Sequence, residues 1–365
     1  MTELSMDSLI ERLNERRGAR GIPWVGSLEL TARCNLRCRH CYIKSPNGPP
    51  RDSAEESTTG ELLDILDQIA DEGCLWLQLT GGEAFLRPDF FEIYDHAKMK
   101  GFIITLFSNG TTITPRIARY LAELPPKSVE ITVYGFSQTV YEEITGVRGS
   151  HKRCFQGIEL LMKHDVPFKL KTVVMTKNRD ELAKIRAYAE ELGQDFYYDS
   201  VISCRLDGDP EPTRLRISPK EVVGLESDDH KISEEWRRFF TQDEMIPMPD
   251  QYVYQCGAGR SYFHIDAFGR LMPCLMVRHA GYDLRTGTFR EGWHDFMASF
   301  LEQKTSRDSK CHTCRLRASC NQCPGLAKIE VGHEEEPVAY VCELAHLRVR
   351  AFSDRPVEER DSGNV

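Results

Sequence analysis

Three cysteines fall within eight residues of the segment ARCNLRCRHCYI: Cys34, Cys38 and Cys41. Three thiolates occupy three irons of a four-iron cluster, whose complete set is four, and leave one iron open to a ligand that is not protein. Zinc with three protein ligands and an open position is the competing chemistry. In both, the missing ligand makes room for a substrate or cofactor. Seven more cysteines lie late in the chain: Cys256, Cys274, Cys311, Cys314, Cys320, Cys323 and Cys342. The plain reading of these is one or two zinc sites. A zinc ribbon, however, separates its two C-x2-C pairs by about 15–20 residues, whereas five residues separate Cys314 from Cys320. Seven thiols are also one short of two complete sites. Cys74, Cys154 and Cys204 stand apart and read as small buried hydrophobes, although Cys204, after the sixth strand, is placed to reach the cavity.

The elements that must position these groups alternate in type. Strands are expected at 27–30, 75–80, 102–107, 128–134, 168–175 and 196–202, and helices at 58–73, 88–101, 115–124, 154–165 and 180–193. The first helix shows a capping-box pair, Thr58 and Glu61, and an apolar face of Leu62, Ile65, Leu66 and Ile69. Strict alternation implies a parallel sheet covered by helices. Six units are too few for a closed eight-stranded barrel, so an α/β partial (β/α)6 barrel is expected, with functional residues in the loops leaving the strand C-termini. The cysteine loop follows the first strand and TGGEAF follows the second, so both open at the same mouth. FSNG follows the third strand and VYG ends the fourth. After residue 205 the pattern breaks into a segment rich in Pro, Gly and charge, then a helical acidic stretch to about 246. From 252 onward the cysteine-punctuated sequence reads as a small, mostly irregular domain held by metal rather than by a hydrophobic core.

The expected divisions are an N-terminal extension at 1–26, the barrel at 27–204, a bridging region at 205–251, the cysteine-rich domain at 252–350 and a polar tail at 351–365 that reads as disordered. The 365 residues carry 47 basic and 56 acidic side chains, a formal net charge of −9 that argues against nucleic-acid or anionic-membrane partners. No apolar run approaches the roughly 18 residues needed to span a bilayer. The charged start, with Leu9, Ile10 and Leu13 as one stripe of a short amphipathic helix, has no signal-peptide core. A cytoplasmic protein is expected, and in a reducing cytosol thirteen cysteines point to metal or catalysis rather than disulfides.

C-x3-C-x2-C after a first strand, with Gly-Gly-Glu after the second, resembles the radical S-adenosylmethionine (SAM) enzymes. The resemblance implies that Cys34, Cys38 and Cys41 ligate a [4Fe-4S] cluster whose open iron takes the amino and carboxylate groups of SAM. It places Gly81, Gly82 and Glu83 at the SAM amino group, Ser108 and Asn109 at its ribose and carboxylate, and His40 against the adenine. The family cleaves SAM to methionine and a 5′-deoxyadenosyl radical, which takes a hydrogen atom from the substrate. The late cysteines resemble the SPASM extension of some of these enzymes, which carries two auxiliary iron–sulfur clusters, expected here as [4Fe-4S]. By that resemblance Cys311, Cys314, Cys320 and Cys342 ligate the outer cluster, and Cys256, Cys274 and Cys323 the inner one. The inner cluster is then open, or takes a ligand such as His264 or Asp266. The family's last central gap is usually three residues, and Cys320 to Cys323 leaves two.

SPASM relatives mostly modify peptides or proteins, and YGFSQTVYEEITGVRGS and RLDGDP resemble the branch that matures ribosomally made peptides. The resemblance implies hydrogen abstraction from a peptide or protein substrate, with a flavodoxin- or ferredoxin-type electron donor. Cys34 comes too early to leave room for an N-terminal leader-binding domain, so a separate leader-binding protein is an expected partner. A sulfatase-maturase-like oxidation and tetrapyrrole side-chain decarboxylation are the alternatives. A non-catalytic zinc module would keep the cysteines but not the Gly-Gly-Glu and Ser-Asn loops.

Overall fold

The computed structural model describes residues 21–43, 55–241 and 251–353, apart from 307–308, 312–313, 315, 317–319 and 321. The amphipathic stripe expected near the start and the tail from 354 lie outside the described residues. The barrel part runs β1 (Val25–Thr31), α1 (Thr59–Asp71), β2 (Trp76–Gly81), α2 (Phe90–Met99), β3 (Ile103–Ser108), α3 (Pro115–Glu123) and β4 (Ser128–Thr132). It continues with α4 (Gln138–Thr145), α5 (Ser150–Lys163), β5 (Phe168–Val173), α6 (Leu182–Glu191) and β6 (Phe196–Asp199). The capping box of α1 forms as expected, with the Glu61 carboxylate accepting from the Thr58 amide at 2.7 Å. Helix α4 was not anticipated. Its signals were nonetheless present: Ser137 caps it, Tyr141 and Ile144 give it a buried side, and Gly146 ends it at φ 66°.

The strands form one sheet in the order β6-β5-β4-β3-β2-β1-β7-β8-β9, where β7 is Tyr262–Ile265, β8 Arg270–Met272 and β9 Tyr282–Asp283. Pairing is parallel from β6 through β1 to β7, and antiparallel beyond. Side chains alternate between faces. Leu28, Leu77, Ile104, Val129 and Leu170 turn toward the helices and are buried in one core. Their neighbours in sequence, Gln78, Thr105, Glu130 and Lys171, turn to the inner face and stay partly exposed.

The region from 252 departs from the expectation of a metal-held domain without a hydrophobic core. Phe263, Ile265, Leu271, Phe289, Trp293 and Met297 join the main core, because β7 lies beside β1 in register with it, Leu28 opposite Ile265. Only later does the chain become a short-element region, with α7 (Pro219–Asp228) and α8 (His230–Thr241) preceding it and α9 (Pro324–Val331) and α10 (Ala339–Phe352) within it. Among the described residues, no helix is long and apolar enough to cross a membrane.

Candidate active site at the mouth of the sheet

The loops after β1, β2 and β3 meet at one end of the sheet. The cysteine loop is anchored from below by Glu56, which accepts from the Thr31 hydroxyl and the Ala32 amide, both at 2.8 Å. Arg33 Nε lies 3.3 Å from the same carboxylate. From the side, the amides of Arg37 and Arg39 donate to the carbonyls of Thr145 and Ile144 in α4, at 2.8 and 3.1 Å. The cysteine loop and the glycine loop are in backbone contact: the amides of Gly82 and Glu83 donate to the carbonyls of Thr31 and Arg33, at 2.7 and 2.8 Å. A side chain at either glycine would collide. A Cβ on Gly82 would sit 2.0 Å from the Arg33 carbonyl oxygen, and Gly81 holds φ +122° with the Thr31 oxygen 2.3 Å from its would-be Cβ.

Glu83 is fully buried. Its carboxylate accepts from the Ser108 hydroxyl (2.8 Å), the Asn109 amide (2.8 Å) and the Thr112 hydroxyl (2.9 Å). Burial outweighs these bonds and pushes its pKa up. Among the described residues it forms no ion pair, so a cationic group beside it would relieve a desolvated negative charge. Asn109 joins this carboxylate to the cysteine loop. Its side-chain amide donates to Cys34 Sγ at 3.7 Å and to Asn35 Oδ1 at 3.0 Å. The Cys34 sulfur also accepts from the Leu36 amide at 3.4 Å, while burial pushes its thiol up to about 11.

Cys34, Cys38 and Cys41 feel one another's charge, and burial raises the Cys38 thiol well above its ordinary range. Yet among the described residues no three His, Cys, Asp or Glu side chains converge as they would around a single metal ion. His40 is buried beside them, with its ring 4.8 Å from that of Tyr134, and burial lowers it to about 4. Tyr134, from the VYG segment, is partly buried, interacts electrostatically with all three thiols and hydrogen-bonds Cys38.

The remaining thiols divide in two. Cys274 interacts electrostatically with Cys323 and Cys256, and Cys320 with Cys342, Cys314 and Cys311. Of the non-cysteine ligands considered for the inner group, each has one polar atom engaged, while His264 Nδ1 is buried with no hydrogen-bond partner among the described residues. His264 Nε2 lies 3.1 Å from Glu29 Oε1, and Asp266 Oδ1 accepts from the amides of Phe268 and Arg270, each at 3.0 Å. Cys204 is buried near Glu330 and Arg216.

The inner face carries charges that motif reading passed over. Lys171 Nζ lies 3.0 Å from Glu130 Oε2 and 2.9 Å from the centre of the Phe107 ring, and burial lowers it to about 8. Tyr197 donates to the same Glu130 carboxylate. The signal was available: both charges interrupt strands of a helix-covered sheet at alternate positions, where apolar residues are the rule.

Comparison with known proteins gives three findings. The family model described as the radical SAM superfamily matches residues 28–189. AdoMet-dependent heme synthases are similar over most of the chain. That of Methanosarcina barkeri is 28% identical, covering 86% of this chain and 95% of its own. That of Oleidesulfovibrio alaskensis is 30% identical and covers 81% of each. The mycofactocin maturase MftC of Mycolicibacterium smegmatis is 27% identical over 80% of this chain and 75% of its own. Among solved structures, Streptococcus suis SuiB bound to S-adenosylmethionine shares the fold. Its TM-score is 0.67 at 16% identity, with 94% of this chain and 84% of SuiB covered.

Proposed function

Because the chain belongs to the radical SAM superfamily, we propose that it cleaves SAM reductively and abstracts a hydrogen atom from a peptide side chain held on the inner face of the sheet. The observation that carries the reading is the continuous link from Cys34 through Asn109 to the buried carboxylate of Glu83, which has no ion-pair partner among the described residues. When bound, a [4Fe-4S] cluster with SAM supplies the 5′-deoxyadenosyl radical. Cys34, Cys38 and Cys41 hold the cluster. Glu83 receives the SAM ammonium, and the glycine loop brings it near the thiols without a side chain between. Ser108 and Asn109 act through their grip on Glu83 and Cys34. His40 and Tyr134 close the site against water beside the thiols. Cys256, Cys274 and Cys323, and separately Cys311, Cys314, Cys320 and Cys342, hold two auxiliary clusters. A flavodoxin- or ferredoxin-type protein supplies the electron.

The maturase relative supports the peptide substrate. A second reading, decarboxylation of a tetrapyrrole side chain, is favoured by the heme synthase relatives, one of which the chain covers almost end to end. The test is anaerobic turnover with SAM and reductant, following 5′-deoxyadenosine. Short peptides encoded beside the gene and tetrapyrrole carboxylic acids are offered in turn. A mass change in a peptide without carbon dioxide release is expected. Carbon dioxide release from the tetrapyrrole alone would select the second reading, and no 5′-deoxyadenosine under any condition would overturn both.

A further inference from the structure

Tyr254 is a buried phenol whose hydroxyl has no hydrogen-bond partner among the described residues. A tyrosine in that position normally satisfies its hydroxyl, because the ring is at home in apolar surroundings and the O–H is not. Its ring is fixed by packing. Val253, Tyr254 and Val277 form a small apolar cluster with Cys274, Phe300 and Leu301 against it, and the Phe300 ring centre is 4.5 Å away. The hydroxyl interacts electrostatically with Cys274, Cys323 and Cys256 together, and with Glu334. Glu334 is itself occupied by Lys328 at 3.4 Å and His279 at 3.2 Å. One orphan donor therefore lies in the apolar cluster against which Cys274 packs, two residues before Cys256.

Those sulfurs already collect donors. Cys323 caps α9 and its sulfur accepts from the Leu326 amide at 3.5 Å, while Cys274 receives backbone hydrogen bonds from Met276 and Val277. Donors converging on thiols stabilise the thiolate form, which is the form that binds iron.

We propose that the Tyr254 hydroxyl donates a hydrogen bond to a sulfur of the cluster held by Cys256, Cys274 and Cys323, and so raises that cluster's reduction potential. The inference rests on the reading of these three cysteines as cluster ligands. A donor to cluster sulfur favours the reduced, more negative state. Tyr254 is thus a positioning residue for electron flow, tuning the cluster's potential without touching the substrate.

The test is Tyr254→Phe in the full-length, reconstituted protein, with redox titration followed by electron paramagnetic resonance. Phenylalanine keeps the packing against Phe300 and removes only the hydroxyl. At the native midpoint of this cluster, the reduced-to-oxidised ratio is expected to fall about tenfold, which for one electron is about 59 mV. Iron content and the signal of the SAM-binding cluster should stay unchanged, which also reports that the variant is folded. An unchanged midpoint with iron retained would overturn the donor role. Loss of iron from Tyr254→Phe would overturn it too, by making the phenol oxygen a ligand. Separately, Cys274→Ala and Cys323→Ala should each lose iron. If neither does, the cluster assignment itself fails, whatever Tyr254→Phe shows.

Discussion

A carboxylate buried as deeply as that of Glu83, hydrogen-bonded but without an ion-pair partner among the described residues, is destabilising unless something positive arrives. Glu83→Gln keeps the volume and removes the charge. It should weaken SAM binding by roughly 10- to 100-fold, as expected for a lost charge-assisted hydrogen bond of about 1.5–3 kcal/mol. Thermal stability without SAM should not fall with it. Anaerobic equilibrium dialysis checks the first and thermal denaturation the second; an unchanged affinity would mean that the ammonium is held elsewhere. At this scale much was legible. Cys34, Cys38, Cys41, Gly82, Glu83 and Asn109 announce themselves by type and by position after expected strands. Asn35 and Glu56 do not, because their meaning depends on partners that only the fold supplies: Asn35 meets Asn109, 74 residues away, and Glu56 meets Thr31, 25 residues away.

The seam between β1 and β7 is where two elements far apart in sequence become one structure, and it is polar on the inner face. Burial raises the Glu29 carboxyl, but bonds from His264 (3.1 Å) and Arg278 (2.8 Å) outweigh it and hold the pKa at about 2. A folded-state pKa below the unfolded value means that the stabilisation is present above about pH 4.5 and is lost as the pH falls toward about 2. Glu29→Gln should therefore cost about 3 kcal/mol near neutrality, with the difference from the parent shrinking through that acid range. Urea unfolding at a series of pH values measures it, and a pH-independent difference would remove the ion pair from the account. The barrel strands were readable because each is a short stretch of apolar residues, often alternating with polar ones, between turn signals. The strand character of Tyr262–Ile265 was obscured, because four residues between cysteines offer too short a pattern for periodicity to register.

For the molecule as a whole, the sequence suggested a barrel followed by a separate, metal-held domain. The structure instead carries one sheet through both, and the part beyond residue 301 adds two helices that bury apolar residues of their own. Periodicity cannot reveal which strands become neighbours, so the division at 252 looked sharper than it is. This continuity has a consequence during synthesis. Glu29 and His264 are 235 residues apart in the chain, and at about 5–20 residues per second roughly 10–50 s pass before β1 can acquire its second neighbour. Throughout that interval the strand leading to the cysteine loop presents an open edge on the nascent chain, a natural template for pairing with another molecule. A fragment ending before Tyr262 should therefore self-associate, giving a larger species by light scattering than one extended through Met272. A monodisperse shorter fragment would show that something other than β7 guards the edge.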